Sequence, residues 1–342
     1  MPCQALFAAL LALSIQSSLS FAFDRKVLAG NSFGRWAQRR VTGVSVQTRQ
    51  QASPTDFQPM IFRREEEEQK SFDRSGGRNL MFYSAAHPTD QICYDAIYSK
   101  DPDAPNVIVL PYLYSPKNQG LNAQVESWCR REGYTYVCAD YHGVSKSGGF
   151  AEDGTISRWT DDTIAMLETV VQGKTIIVGA AVGAWVMMRV AMKRPDLVAG
   201  LVGISCDADF TEELLWAELS DEDKTAIMEK GQHEIKWGDT TYAITRNLIE
   251  DGRENLILNG ALIPIYCPVR LIHGTADVEV PLSTSMRVME AMESDDVDVV
   301  CIKGMTHFID REKEYKVLNN VMRAVVDAAD LYEVDLTSPG SG

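Results

Sequence analysis

The stretch KTIIVGAAVGAW, residues 174–185, joins an apolar run to the start of a helical pattern. TIIV has the composition of a strand that is buried on both faces of a sheet. Gly179 and Gly183 flank Ala181 in the spacing Gly-x-Ala-x-Gly. Small residues at this spacing let the backbone turn sharply from a strand into a helix, and a serine normally stands at the centre of such a turn. We therefore predict a tight strand-to-helix turn with Ala181 at its centre.

Two later motifs also follow apolar strands. HGTAD, residues 273–277, places the carboxylate of Asp277 in the loop beyond one strand, and GMTH, residues 304–307, places His307 beyond the last strand. The carboxyl ends of parallel strands meet at one edge of a sheet, so these loops and the turn at Ala181 are expected to meet. Nucleophile position, acid and histidine in this chain order are typical of a catalytic triad.

Short apolar runs alternate with amphipathic helical patterns from residue 80 onward. The predicted strands are residues 80–84, 92–98, 106–110, 134–139, 174–178, 200–205, 269–273 and 297–302. The predicted helices are residues 118–132, 156–171, 181–193, 283–293 and 311–332. This alternation predicts an α/β fold with a mostly parallel central sheet and helices on both faces.

Residues 207–261, called the insertion below, interrupt the alternation after the sixth predicted strand. They contain polar helical sequence such as TEELLWAEL and SDEDKTAIMEK, with Ser220 as a predicted helix N-cap, and show little strand signal. A connection of about 50 residues is long, and long connections are often functional. We predict a helical lid over the site, with plain surface elaboration as the alternative.

The N-terminal residues have the composition of targeting segments. Residues 1–20 resemble a signal peptide, with an apolar core before Ser18 and Ser20, although no positive charge precedes it. Residues 21–59 contain six basic and two acidic residues, as transit peptides do. In tandem the two parts resemble presequences of algae with secondary plastids, so we predict import into a plastid, with mitochondrial import or secretion as alternatives.

The rest of the domain organisation follows from local composition. Residues 60–79 form a predicted polar linker that includes an acidic run, residues 80–335 form the predicted folded domain, and residues 336–342 form a predicted flexible tail.

Composition excludes several classes of function. The chain has 342 residues and a net charge of −15, which repels phosphate backbones, so we predict no nucleic-acid partner. No apolar run reaches the roughly 18 residues that a membrane-spanning helix needs. The seven cysteines are scattered without metal-ligand spacing, which favours reduced, mostly buried thiols. No metal, nucleotide or flavin motif occurs, so no cofactor is predicted.

Five blocks of sequence carry a resemblance to a known family. They are DYHGVSKSGG (140–149), GTISRWTDD (154–162), VGAAVGAW (178–185), PVRLIHGTADVEVPLSTSMRV (268–288) and DVDVVCIKGMTH (296–307). With these blocks the chain resembles the α/β-hydrolases, and among them the mitochondrial abhydrolase-domain palmitoyl-protein thioesterases, which also hydrolyse acyl glucuronides. The resemblance implies a small-molecule acyl ester or thioester as substrate. It also implies that Asp277 orients His307 and that His307 is the general base.

Two departures from the family pattern affect this mechanism. The family's serine falls on Ala181, whose methyl group cannot attack a carbonyl, so the chain as written is predicted to lack the covalent mechanism. The family's glycine-containing loop after the third strand is LPYLY, residues 110–114, in this chain. The resemblance implies an oxyanion hole made of backbone N–H groups from Val182 and from Leu113 or Tyr112.

Other residues offer weak substitutes for the missing nucleophile. Ser115, Ser205 and Cys206 lie near strand ends, but none is predicted on a strained turn that faces His307. The remaining histidines are expected in structural or surface positions: His142 at the end of the fourth strand, His233 in an exposed part of the insertion, and His87 in a loop.

Three functions remain open from the sequence. The first is a serine esterase or thioesterase in an inactivated form, in which Ala181 is an engineered substitution for the serine; the intact contexts of Asp277 and His307 favour it. The second is a natural pseudo-enzyme that binds a ligand or joins an organelle complex, which the retained leader and the changed oxyanion loop favour. The third is general-base chemistry, in which His307 and Asp277 abstract a proton from a bound substrate directly.

Overall fold

The computed structural model of the chain describes residues 76–84, 87–237 and 240–337. The predicted signal peptide, the predicted transit segment and Cys3 lie outside the described residues, as do most of the linker and the end of the tail. Within the described residues, the first strand begins at Gly77 and the last helix ends at Thr337.

Eight strands form one central sheet in the order β1-β2-β4-β3-β5-β6-β9-β10. Strand β2 pairs antiparallel with β1 and with β4, whereas all the other neighbours in this sheet are parallel. The strands are β1 (Gly77–Tyr83), β2 (Gln91–Ile97), β3 (Asn106–Leu110), β4 (Thr135–Ala139), β5 (Thr175–Ala180), β6 (Val198–Ile204), β9 (Val269–Gly274) and β10 (Val297–Ile302). The predicted mostly parallel sheet is therefore confirmed.

Helices cover both faces of this sheet, as predicted. They are α1 (Gly120–Glu132), α2 (Ile156–Met166), α3 (Val182–Lys193), α4 (Asp221–Lys230), α5 (Arg246–Glu254), α6 (Leu282–Ala291) and α7 (Glu312–Thr337). Alternate residues of β3 belong to two separate apolar cores: Val107 and Val109 pack with α1 and α7, whereas Ile108 and Leu110 pack with α2 and α3. Because both faces of β3 are buried, its sequence is apolar almost throughout.

None of the helices in the described residues is both long enough and apolar enough to cross a membrane. The described cysteines are free thiols, and all of them are buried except Cys301, which is exposed.

The prediction that the insertion is helical is wrong over residues 232–245. Strands β7 (Gln232–Trp237) and β8 (Thr240–Thr245) form an antiparallel hairpin, preceded by α4 and followed by α5. Ile235 and Ile244 are buried, which anchors the hairpin to the main core. Alternating apolar residues in QHEIKW and TTYAIT were the signal that could have revealed these strands. The predicted cap of α4 is confirmed, because Ser220 Oγ accepts a hydrogen bond from the backbone N–H of Asp223 at 3.1 Å.

A buried carboxylate ties the two ends of the insertion together. Asp209, near its start, accepts hydrogen bonds from the backbone N–H groups of Ile257 (2.9 Å) and Leu258 (2.7 Å), near its end. These bonds satisfy backbone donors that would otherwise be buried without a partner. The insertion is therefore fixed at its base, beside the carboxyl ends of the parallel strands.

Candidate functional site

Ala181 lies at the junction of β5 and α3 in a backbone conformation that L residues rarely adopt, with φ 50° and ψ −117°. Its N–H donates to the carbonyl oxygen of Ile204 at 2.9 Å, and its own carbonyl oxygen accepts from the N–H of Ala184 at 2.8 Å. The sharp turn predicted from the sequence is present, and it is held by hydrogen bonds on both sides of Ala181.

Gly179 and Gly183 make this turn sterically possible. A Cβ atom at Gly179 would lie within 3.0 Å of the Gly183 carbonyl oxygen, and one at Gly183 would lie within 3.0 Å of the Leu110 carbonyl oxygen. Real Cβ atoms essentially never come this close to another heavy atom. Gly179 therefore lets α3 start close against β5, and Gly183 lets it approach the end of β3.

Asp277 and His307 form a hydrogen-bonded pair beside this turn. Asp277 Oδ2 lies 3.0 Å from His307 Nδ1. Asp277 Oδ1 accepts from the backbone N–H groups of Glu279 and Val280, both at 2.9 Å. Because Nδ1 is engaged by Asp277, Nε2 is the nitrogen left for a reacting group. The structure thus brings together the acid and the histidine that the sequence singled out.

Opposing effects set the charge states of this pair. Burial alone would raise the pKa of Asp277, but its hydrogen bonds with His307 and with backbone N–H groups outweigh burial and lower the pKa. Burial alone would lower the pKa of His307, but its hydrogen bond to Asp277 and the charges of Asp277, Glu279 and Asp207 outweigh burial and raise the pKa. The site is therefore arranged to stabilise an imidazolium, which a general base becomes when it takes a proton.

Contacts between loops hold His307 in place. Gly274 lies so close to the Met305 carbonyl oxygen that a Cβ atom would not fit, and this oxygen accepts from the N–H of Ala276 at 3.0 Å. Ser205 Oγ donates to the carbonyl oxygen of His307 at 2.8 Å. The loops after β9, β10 and β6 are thereby fixed to one another.

The predicted oxyanion residues Tyr112, Leu113 and Val182 line the same pocket as Ala181 and His307. The Tyr112 side chain is directed toward the His307 loop, since its hydroxyl lies 3.3 Å from the His307 carbonyl oxygen. Any oxyanion contact from this loop would therefore come from backbone N–H groups.

The loop after β3 contains no glycine, and it turns by placing Tyr114 in the left-handed region, with φ 60°. The far end of the loop is anchored by a buried ion pair between Lys117 Nζ and Asp140 Oδ2, 2.7 Å apart.

The pocket contains about 500 Å³ of empty space, part of it open to solvent, and the insertion supplies much of its wall. The apolar residues contributed by the insertion are Phe210, Leu215, Trp237, Tyr242 and Ile244. A wall of this composition suits the apolar part of a ligand.

Two carboxyl residues of the pocket were missed by the sequence analysis. Asp207 follows the end of β6 and is only 8% exposed, and its Oδ1 has no hydrogen-bond partner. Burial raises the pKa of Asp207 to about 8. Glu279 follows Asp277 by two positions, and its Oε2 lies 3.8 Å from His307 Nε2. Both residues lie beyond the carboxyl ends of parallel strands, so the reasoning that located Asp277 and His307 could have included them.

The substitute nucleophiles considered from the sequence are not placed for attack. The hydroxyl of Ser205 donates to the carbonyl oxygen of His307 and not to its imidazole. Burial raises the pKa of Cys206 to about 12, which keeps it a thiol. Ser115 lies outside the set of described residues that line the pocket.

The other four histidines do not line this pocket, although the buried His273 has its Nε2 3.5 Å from Asp277 Oδ2. His142 is buried, its ring packs against Gly149, and it lines a separate small cavity with Trp159 and Asp162. His233 Nε2 lies 3.3 Å from Asp223 Oδ1, and His87 lies in a turn. Within the described residues, no group of three or more His, Cys, Asp or Glu side chains is arranged to hold a metal ion.

Comparisons with known proteins agree with this geometry. The model of the prolyl oligopeptidase family matches residues 121–323. The mitochondrial palmitoyl-protein thioesterase ABHD10 of Homo sapiens is 30% identical over 227 residues, which cover 66% of this chain and 74% of that protein. The Mus musculus protein of the same name is 31% identical over 229 residues, which cover 66% of this chain and 75% of that protein.

Solved structures of α/β-hydrolases also superpose on this chain. An Agrobacterium vitis S4 protein superposes with a TM-score of 0.68 at 26% identity, covering 72% of this chain and 97% of that one. The mouse α/β-hydrolase domain-containing protein 10 superposes with a TM-score of 0.65 at 26% identity, covering 72% of this chain and 98% of that one. The chain therefore belongs to the prolyl oligopeptidase family, as an α/β-hydrolase of the ABHD10 thioesterase lineage.

Proposed function

We propose that the chain as written binds acyl esters or thioesters in a hydrolase site that lacks only its nucleophile. The observation that carries this proposal is the conformation of Ala181, which keeps a strained turn beside the pair formed by Asp277 and His307. Such strain costs about 1–3 kcal/mol and persists where it serves a site. A methyl group gains nothing from this position, whereas a serine hydroxyl would gain access to His307.

The mechanism with a serine at position 181 follows from the neighbouring groups. His307 Nε2 would take the hydroxyl proton while the oxygen attacks the acyl carbonyl, and Asp277 would stabilise the resulting imidazolium. The imidazolium would return the proton to the leaving alcohol or thiol as its bond to the acyl carbon breaks, and a water activated by His307 would then release the acid and restore the serine. The N–H of Val182 and a backbone N–H of Leu113 or Tyr112 would stabilise the oxyanion. The insertion would cover the acyl part of the ligand as a lid. With Ala181 the ligand can bind, but no acyl-enzyme can form.

The test compares the chain as written with Ala181→Ser on p-nitrophenyl butyrate and on a palmitoyl thioester. We expect no turnover by the chain as written and measurable turnover by Ala181→Ser, which is lost again when His307→Ala is added. Ala324→Ser, on the exposed face of α7, is the matched control and should stay inactive.

Two other outcomes would favour the alternative functions. If both forms are inactive and neither binds the esters, the oxyanion loop LPYLY no longer supports hydrolysis, and a pseudo-enzyme with another ligand is the better explanation. Turnover by the chain as written would favour general-base chemistry at His307. Glu279 Oε2 lies 3.8 Å from His307 Nε2, and this neighbouring carboxylate is the observation that favours such chemistry.

We also propose that the N-terminal residues direct import into an organelle. The mitochondrial names of the ABHD10 relatives support mitochondria and give the plastid prediction no support. A fluorescent protein fused behind residues 1–79 should co-localise with a mitochondrial marker, whereas plastid localisation would restore the first expectation and secretion into the medium would contradict both.

A further inference from the structure

Asp207 lines the pocket with a carboxyl group of which one oxygen, Oδ1, has no hydrogen-bond partner. The side chain is more than nine-tenths buried and lines the same space as Ala181 and His307, and its Oδ1 accepts no hydrogen bond. A buried polar atom without a partner costs folding free energy, so its presence in a ligand pocket indicates that a ligand supplies the partner.

No basic side chain in the pocket is left to pair with Asp207. Among the pocket-lining residues that the structure describes, His307 is the only basic one. Its Nδ1 lies 3.0 Å from Asp277, and its Nε2 lies 3.8 Å from Glu279. An imidazolium at His307 is thus shared by two other carboxylates, and an ionised Asp207 leaves the pocket with excess negative charge.

Aromatic side chains from the insertion stand in the same pocket wall. Phe210, Trp237 and Tyr242 all line the space that Asp207 and Glu279 border. Aromatic faces attract cations because the ring quadrupole is negative above and below the ring plane. Carboxyl groups and aromatic faces around one cavity form the combination that recognises ammonium groups in proteins.

We propose that this pocket selects acyl ligands that carry a cationic ammonium group, with Asp207 as the residue that determines this specificity. The inference rests on the acyl-ligand site proposed above and adds the chemical class of the ligand. The charge sits against Asp207 and the aromatic wall, while the acyl carbonyl lies at Ala181 and Val182.

The charge of Asp207 gives the proposal a distinctive pH dependence. The pKa of Asp207 is raised to about 8, chiefly by burial; the charges of Asp277 and Glu279 act in the same direction, and His307 acts against them. The other titratable groups that interact with it, Cys206 and Tyr141, both have raised pKa values and stay neutral. A cation binds the ionised carboxylate, so affinity for a cation rises as the pH passes about 8, whereas a neutral hydrogen-bond acceptor binds the protonated form and loses affinity.

The experiment measures binding of two isosteric esters to the chain as written by calorimetry. The probes are butyrylcholine and 3,3-dimethylbutyl butyrate, in which carbon replaces the cationic nitrogen. We expect butyrylcholine to bind roughly tenfold more tightly, with a preference that grows between about pH 6.5 and about pH 9. Asp207→Asn should reduce this growth to the part that comes from deprotonation of His307 in the same pocket. Asp161→Asn, at an exposed carboxylate paired with Lys193, should not change it.

Equal affinity for the two esters, a preference for the neutral ester, or a preference that falls with pH would overturn the proposed cation selectivity while leaving the acyl-ligand site intact. The absence of binding by both esters at both pH values would overturn the acyl-ligand site as well. The measurement on the unmodified chain keeps the test decisive even if Asp207→Asn fails to fold.

Discussion

The two halves of the pocket are built by different means. The strand-end half consists of the turn at residues 179–183 with Asp277 and His307, and its shape is set by backbone contacts such as the close approach of Gly183 to Leu110. The insertion half consists of Asp207 and the side chains of residues 210–244 that line the pocket, and its shape is set by side-chain packing.

This difference explains how the site keeps its geometry without a serine. A missing hydroxyl removes no contact that holds the turn, because those contacts are hydrogen bonds of the Ala181 backbone and the close approaches of two glycines. The insertion half contributes a buried carboxyl group and aromatic rings to the pocket. If these groups select the ligand, as proposed above, chemistry and selectivity can be changed separately in this fold.

The largest effect is expected from removing the charge that supports His307. In the Ala181→Ser background, Asp277→Asn should lower kcat by about 10⁴-fold, because the amide no longer stabilises the imidazolium or its tautomer. Steady-state kinetics on p-nitrophenyl butyrate measure this loss, with Asp161→Asn in the same background as the control. A loss of less than about tenfold would show that the pair seen in the structure does not act as a unit.

Gly183→Ala should abolish the shape of the strand-end half. Its Cβ atom would overlap the Leu110 carbonyl oxygen, and overlap with buried backbone should cost about 3 kcal/mol or more in the free energy of unfolding. Gly231→Ala is the control, because Gly231 has φ +87° but no atom within 4 Å of the added Cβ. It should cost only about 1 kcal/mol from backbone strain. Similar urea midpoints for the two variants would contradict the steric role of Gly183.

Substitution of Asp207, in the insertion half, should raise the stability of the protein, whereas Gly183→Ala lowers it. The pKa of Asp207 is about 8 in the folded protein and about 4 in the unfolded chain, so its contribution to stability is complete below pH 4 and declines as the pH rises from about 4 to about 8. Asp207→Asn should therefore raise the free energy of unfolding at neutral pH by about 2 kcal/mol, and flatten its decline with pH.

Asp209→Asn is the matched control for Asp207→Asn. The carboxylate of Asp209 accepts hydrogen bonds from the backbone N–H groups of Ile257 and Leu258. Replacing this carboxylate with an amide should therefore destabilise the protein by about 1–3 kcal/mol. Chemical denaturation of both variants at several pH values measures the contrast. Destabilisation by Asp207→Asn at neutral pH would mean that its carboxyl has a structural role and is not retained for a ligand.

The sequence predicted the strand-end half of the pocket better than the insertion half. The turn at Ala181 and the positions of Asp277 and His307 could be predicted because glycine spacing and strand ends are visible in the local sequence. The central sheet could also be predicted, because apolar runs such as NVIVL identify strands with two buried faces.

The insertion resisted prediction because its structure depends on tertiary contacts. QHEIKW and TTYAIT have weak strand signals, and they form a hairpin only with Ile235 and Ile244 packed on the core. The position of Asp207 at the end of β6 was open to the same argument as Asp277, but its raised pKa was not, because that depends on burial and on the nearby charges of Asp277 and Glu279.

The smallest effect should come from a contact between the insertion and the loop after β3, which lines the pocket through Tyr112 and Leu113. Tyr114, in the loop after β3, donates its hydroxyl to the Ala243 carbonyl oxygen at 3.1 Å, and its ring stacks against Tyr242. Tyr114→Phe keeps the stacking and removes one hydrogen bond, so it should cost about 0.5–1.5 kcal/mol. If this is the main contact between the insertion and the loop after β3, removing its hydrogen bond should speed hydrogen exchange of the backbone amides in β8. Tyr98→Phe removes a comparable hydroxyl contact, to the Val170 carbonyl oxygen, and should leave β8 exchange unchanged. Equal acceleration of β8 by both variants would mean that the hairpin opens only with the whole domain, and that the insertion is as firmly fixed as the sheet beneath it.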